Sequence, residues 1–396
     1  MRRKFILTID SGGIRSIIPA VILVELERRL VEAGKTAGLH QYFDLVSGSG
    51  LGALMVAALT CPHPTIPGRM VATPSDILAL LKSESSFVFA SEAASEAAHG
   101  PYSAEQFDEG LRAYVGAGTM LPDLSAYIVI PVFDLQRRAP ALLSNVEAGK
   151  GNFYLWQAVR SGCAVPGYFA PAMVENLAKA RPRGTPLMPL IHGGSISNDP
   201  SLAAYVEASK LGWIGRDHDA FILSLGAGLD RRPIDYLNAI QSGNHGPGLA
   251  SVTPSQVNRG TELDDPTPYQ LNTLINRDAG AFNGTATRVT PENREQLRFF
   301  RINGTLHHAS ADMDFVSPEN IRRLEADAER FIADNSVALD LVVAQLGSDN
   351  LQPTSGMLQT TAALLSHPAP PPNRRRHTPE DGSEVYQLPA PKVPVF

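Results

Sequence analysis

Six serines, one histidine and three short glycine runs carry most of this sequence's capacity for chemistry. Ser11-Gly12-Gly13-Ile14-Arg15-Ser16 and Ser47-Gly48-Ser49-Gly50-Leu51-Gly52 each follow a short apolar run and lead into a helix-like one. His192-Gly193-Gly194-Ser195-Ile196-Ser197 lies far downstream. A serine hydroxyl beside a general base can attack a carbonyl, and histidine titrates close enough to neutral pH to act as that base. Glycine amides at a strand-to-helix turn can hold a developing oxyanion. Arg15 has two readings: an anion ligand beside a helix N-terminus, or a structural arginine paired with a loop carboxylate.

The elements that must position these groups are legible. Residues 5–9 read as a buried strand. Ile18, Val21, Ile22, Leu26 and Leu30 then repeat at helical spacing, with Pro19 in the first turn and Gly34 as a stop. Residues 42–46 read as a second strand and 53–60 as a very apolar helix. Strand, glycine turn and helix, repeated, open an α/β fold with a parallel sheet. Further strands are expected at 127–133 and 221–225, and helices near 75–81, 104–114, 202–211 and 319–346. The Pro-, Ser- and Ala-rich interval 62–100 reads as a lid or cap, and 230–290 as a loop-rich insertion with short helices. From Gly347 the chain is rich in Pro, Ser and Thr and includes Arg374-Arg375-Arg376, so 347–396 is expected to be a disordered tail.

In their order along the chain, these blocks resemble those of patatin-like phospholipases. That family's D-G-G-G-x-R-G stands here as Asp10-Ser11-Gly12-Gly13-Ile14-Arg15-Ser16. Its G-x-S-x-G, after an F-D-L strand, stands as Phe43-Asp44-Leu45-Val46-Ser47 followed by Gly48-Ser49-Gly50-Leu51-Gly52. Its S-A-A-P-x-Y-F is similar to Cys163-Ala164-Val165-Pro166-Gly167-Tyr168-Phe169, and its D-G-G with N-N-P to His192-Gly193-Gly194 with Asn198-Asp199-Pro200. Leu223-Ser224-Leu225-Gly226-Ala227-Gly228 and Phe300-Arg301-Ile302-Asn303 match as well. The resemblance implies a three-layer α/β patatin-like fold over 1–346, a mostly parallel central sheet with helices on both faces.

In that family an elbow serine attacks the acyl group, paired with an aspartate of the D-G-G block, while amides of the first block form the oxyanion hole. Carried over residue by residue, the nucleophile position is Gly50 and the aspartate position is His192. Ser11, Gly12, Gly13 and Arg15 occupy the oxyanion or anion-binding loop. Gly50 has no side chain with which to attack, and losing a triad nucleophile costs orders of magnitude in turnover. Ser11 and Ser16 replace family glycines, which permit positive φ or close approach. The resemblance therefore implies a protein without a working Ser/Asp dyad, with a lipid- or acyl-binding, scaffold or regulatory role. One alternative is a phospholipase A-type lipid acyl hydrolase that uses a displaced serine such as Ser49, with His192 as base. Ser49 precedes the elbow apex, however, so its side chain is expected to point away. Another is a nucleotide-sensing effector, since some bacterial defence phospholipases open in a similar style.

Composition narrows the partners. Hydrophobic residues make up 43% and charged residues 19%, enough for a sizeable core. A net charge of -6 gives no nucleic-acid surface. No apolar run reaches the roughly 18 residues of a membrane span. The basic start is followed by too short an apolar run for a signal peptide. A cytoplasmic protein is expected, with peripheral membrane contact and a protein partner left open along with the oligomeric state. Cys61 and Cys163 read as buried free thiols. His307-His308 with Asp312 and Asp314 lack tetrahedral spacing and read as a solvated loop, so no metal and no cofactor are expected. Asp10 is expected to hydrogen-bond its own glycine loop, and Tyr154 and Trp156 to pack in the core or at a cleft mouth.

Overall fold

The first strand explains the layering. In β1 (Lys4–Ile9), Phe5, Leu7 and Ile9 enter one apolar core while Ile6 enters a second. A strand apolar on both faces has to lie inside a sheet covered on both sides. The computed structural model describes residues 3–83, 87–89, 102–147, 152–179, 187–195, 198–214, 220–231, 266–277 and 282–347. The remaining strands are β2 (Leu45–Gly48), β3 (Tyr127–Asp134), β4 (Ala139–Ser144), β5 (Ala172–Glu175), β6 (Leu187–His192), β7 (Ala220–Leu225) and β8 (Phe299–Ile302).

The sheet runs β5-β6-β3-β2-β1-β7-β8, with β4 also paired to β3. The block β3-β2-β1-β7-β8 is parallel, whereas β4, β5 and β6 pair antiparallel. The sheet is therefore mixed, with its parallel part at the centre. The larger core is completed by α1 (Ile17–Glu32), α2 (Leu51–Thr60), α3 (Pro74–Lys82), α4 (Ala104–Val115), α5 (Leu155–Gly162), α8 (Pro318–Asp334) and α9 (Ser336–Gln345). The opposite face is covered by α6 (Ser201–Lys210) and the short α7 (Thr267–Leu271). This is the expected three-layer α/β arrangement.

Two boundaries differ from the sequence expectation, each for a local reason. β2 starts at Leu45 rather than Tyr42, because Asp44 caps the start of β1: its carboxylate accepts from the Phe5 amide at 3.0 Å and from Lys4 Nζ at 2.7 Å. The helix expected over 319–346 breaks at Asn335, whose Nδ2 donates to the Phe331 carbonyl at 2.8 Å. Within the expected lid interval, α3 packs on α1 and is started by a capping box at Thr73 and Asp76. Residues 84–86 and 90–100 of that interval, 232–265 and 278–281 of the expected insertion, and 348–396 of the expected tail lie outside the described residues. Among the described residues no helix is long and apolar enough to cross a membrane.

Candidate functional site

The site lies where β1 and β2 end. Gly50 caps the N-terminus of α2 with φ 53° and ψ −130°. A side chain is strained in that region and glycine is not. The turn thus has the sharp strand-to-helix geometry of a nucleophile elbow, with no side chain at its apex. A Cβ built on Gly50 would overlap Ser11 Oγ and stand 3.0 Å from Ser11 Cβ. Gly48 and Gly52 serve the tight crossing, since a Cβ on either would run into backbone.

Ser11 is 3% exposed, and its hydroxyl has no hydrogen-bond partner among the described residues. Its backbone is not left-handed: Arg138 and Arg277 are the non-glycine residues with positive φ among those described. The substitution therefore adds a hydroxyl without straining the loop. Gly13 does need its freedom, because it has φ 57° and sits against the Met313 carbonyl. The amides of Ser11, Ile14 and Arg15 donate to Asn198, Met313 and Gly12 carbonyls respectively, whereas those of Gly12 and Gly13 have no backbone acceptor among the described residues. Arg15 is buried and its Nη1 donates to the Gly228 carbonyl at 3.1 Å, which ties this loop to the exit of β7.

His192 ends β6 and is 4% exposed. Its Nδ1 lies 2.6 Å from the Gly162 carbonyl, which can only accept, so the proton is on Nδ1. The other nitrogen is engaged by the Asn198 side chain, packed close because Gly194 has no Cβ. Burial lowers the His192 pKa, with the bonds to Gly162 and Asn198 opposing it, so the ring is neutral. Ser49 is 0% exposed and its hydroxyl has no hydrogen-bond partner among the described residues. Ser49 and His192 are not hydrogen-bonded to each other. Ser47 Oγ donates to the Val129 carbonyl at 2.8 Å, and Ser16 is buried with its hydroxyl unpartnered among the described residues. The side chains of Ser195 and Ser197 lie outside the described residues.

In front of Ser11 and Gly50 opens an apolar cleft walled by Phe89, Tyr102, Phe107, Tyr168 and Phe169. The rings brace one another, with Phe107 and Phe169 centroids 5.1 Å apart and Tyr102 and Phe169 5.6 Å apart. Behind them the buried Arg160 stands 5.1 Å from the Phe169 ring centroid; its Nη2 donates to the Ala170 carbonyl at 2.8 Å and its Nε is 2.9 Å from Asp108. Cys163 lines the cleft and donates from Sγ to the Gly50 carbonyl at 3.1 Å; burial pushes its thiol up to about 12, which leaves it unreactive.

Beneath the site lies a polar network that sequence reasoning missed. Asp10 forms a bidentate pair with Arg301, at 2.7 and 2.5 Å. Arg301 also donates to Ser224 Oγ at 2.7 Å and lies 3.5 Å from Asp199, which accepts from the Ser201 amide at 2.8 Å. The network bolts the 198–200 loop and β8 to the end of β1. The only forewarning was that Asp199 and Arg301 each stand in a family-like block. The His307 and His308 amides are gathered by Asp327, and no cluster of three metal-binding side chains occurs among the described residues. Trp156 stacks under Arg112 at 4.0 Å, at the edge of the core.

With this geometry in place, comparison with known proteins is informative. Residues 7–205 match the family model of patatin-like phospholipase, which is half of the chain. The chain belongs to the patatin-like phospholipase family. It is 30% identical over 262 residues to Patatin-like protein 4 of Arabidopsis thaliana, covering 61% of this chain and 63% of that one. It is 27% identical over 241 residues to Probable inactive patatin-like protein 9 of the same plant, covering 57% and 61%. The match thus spans under two-thirds of either relative. Among solved structures it is similar to VipD from Legionella pneumophila, at 12% identity and a TM-score of 0.33 over 84% of this chain and 67% of that one; this likeness adds nothing to the assignment.

Proposed function

We propose that this patatin-like protein binds a lipid or acyl group in its aromatic cleft without hydrolysing it, and so acts as a scaffold or regulator rather than a Ser/Asp hydrolase. The observation that carries this reading is the pairing of Gly50 with Ser11. The elbow apex has no nucleophile, and the space its side chain would need is filled by a neighbouring hydroxyl. His192, the residue that the resemblance puts at the aspartate position, is buried, neutral and bonded on both ring nitrogens, which supports the same reading. A relative named as a probable inactive patatin-like protein supports the reading. The displaced-serine reading, Ser49 with His192, has less support, because the two side chains do not bond and each is shut away from solvent. We place the protein in the cytoplasm.

Ester hydrolysis tests the proposal. The wild type should not turn over p-nitrophenyl esters or mixed phospholipids. A triple reversion, Ser11→Gly, Gly50→Ser and His192→Asp, should gain turnover. Wild-type turnover abolished by Ser49→Ala would overturn the reading in favour of the relocated nucleophile.

A further inference from the structure

The cleft ends at Ser11 and Gly13 of the first glycine loop. Ser11 brings a buried hydroxyl, unpartnered among the described residues, to the wall of the cleft. The Gly12 and Gly13 amides have no backbone acceptor there, and Gly13 lines the same cleft. The ten-residue helix α2 begins at Leu51, just after Gly50, and both line the cleft, so its N-terminus, with the positive end of its dipole, lies on this floor. A buried hydroxyl left unpaired is costly, and Ser11, unlike Ser16 and Ser49, lines a cleft from which a ligand can satisfy it.

From this we infer that the cleft holds a free monocarboxylic acid with an apolar chain, its carboxylate held by Ser11 Oγ, the Gly12 and Gly13 amides and the N-terminus of α2. The inference rests on the acyl-binding reading above and names its ligand. An ester carbonyl is neutral and offers one strong acceptor. A carboxylate offers two oxygens with about four lone-pair sites and a full negative charge, which suits three donors and a helix N-terminus. The Ser11 hydroxyl acts here as a donor. It has no base beside it, and a serine is a weak nucleophile without one. The apolar chain lies among Phe89, Tyr102, Phe107 and Phe169. The enclosed part of the cleft is small, about 50 Å³, and the rest of it is open to solvent. The carboxylate on the wall, Asp314, accepts from the Tyr102 hydroxyl at 3.2 Å.

Titration calorimetry of the full chain with decanoate, decanol and methyl decanoate, each below its aggregation threshold, tests this. Decanoate should bind, with the alcohol and the ester at least tenfold weaker. Ser11→Ala should weaken decanoate about tenfold and leave decanol unchanged. Equal binding of all three would overturn the carboxylate assignment while leaving an acyl-binding cleft. Binding of none would overturn both. Hydrolysis of methyl decanoate would overturn the non-hydrolytic reading beneath them.

Discussion

Ser11 and Gly50 compete for one space: a side-chain carbon at 50 would meet the hydroxyl at 11, which would have to turn aside. The family pattern has glycine at the first position and serine at the second, and this chain has the reverse. On the reading proposed above the swap costs the nucleophile, and it also spares strain, because the apex conformation at φ 53°, ψ −130° is comfortable only for glycine.

Gly50→Ser alone should therefore be destabilising, by roughly 2–4 kcal/mol from backbone strain plus overpacking. Adding Ser11→Gly should recover about half of that, because the overlap disappears and the strain remains. A double-mutant cycle in urea would show coupling of about 1 kcal/mol or more between the two positions. Purely additive changes would mean that the two residues do not share the space.

Arg301 gives a second prediction. It is buried with two carboxylates, Asp10 and Asp199, in contact. Removing one partner of a buried ionic group leaves uncompensated charge, which costs about 3–5 kcal/mol. Arg301→Leu should lose about that much by equilibrium unfolding, and Asp10→Asn less, because Asp199 still accompanies the guanidinium. An Arg301→Leu variant as stable as wild type would show that the network does not hold the 198–200 loop.

Much of this was legible in the sequence, and the exceptions are physical. The glycine turns fixed the elbow, because Gly48, Gly50 and Gly52 stand where a Cβ would meet other atoms. A short continuous apolar run placed β1, and helical spacing placed α1. The antiparallel strands β4, β5 and β6 did not announce themselves: Met173 and Leu187 are exposed on them and Pro140 and Pro189 interrupt them, so they carry no clean apolar period. The Asp10–Arg301 pair was invisible because its members lie 291 residues apart, and local pattern says nothing of such pairings. The fit of Ser11 against Gly50 was equally out of reach, since it depends on two glycine loops meeting in space.

Stability should fall as the solution is acidified below neutrality. Burial lowers the pKa of His40 to about 4 and that of His192 below its ordinary value of 6.5. Above about 6.5 both rings are neutral in the folded and unfolded chain alike, and the protein has its full stability. Below it the unfolded chain takes up protons that the folded chain refuses, so stability drops with falling pH, for His40 until about pH 4. The His40 contribution is at most about 3 kcal/mol. His40→Gln should flatten the decline between pH 6.5 and 4.5 in thermal melts, whereas an unchanged slope would assign it to other groups.

The two serines that replace family glycines in the first loop allow the sharpest separation of stability from binding. Ser11 and Ser16 are both buried, and neither hydroxyl has a partner among the described residues. An unsatisfied buried hydroxyl costs on the order of 1–3 kcal/mol, so each change to alanine should stabilise the ligand-free protein, by about 1 kcal/mol once lost packing is counted. Only Ser11 lines the cleft. Ser11→Ala should therefore raise the melting temperature and weaken decanoate, while Ser16→Ala raises it and leaves decanoate untouched. If Ser11→Ala instead lowered the melting temperature, its hydroxyl would already have a partner in the folded protein, and the case for a resident carboxylate would lose its main support.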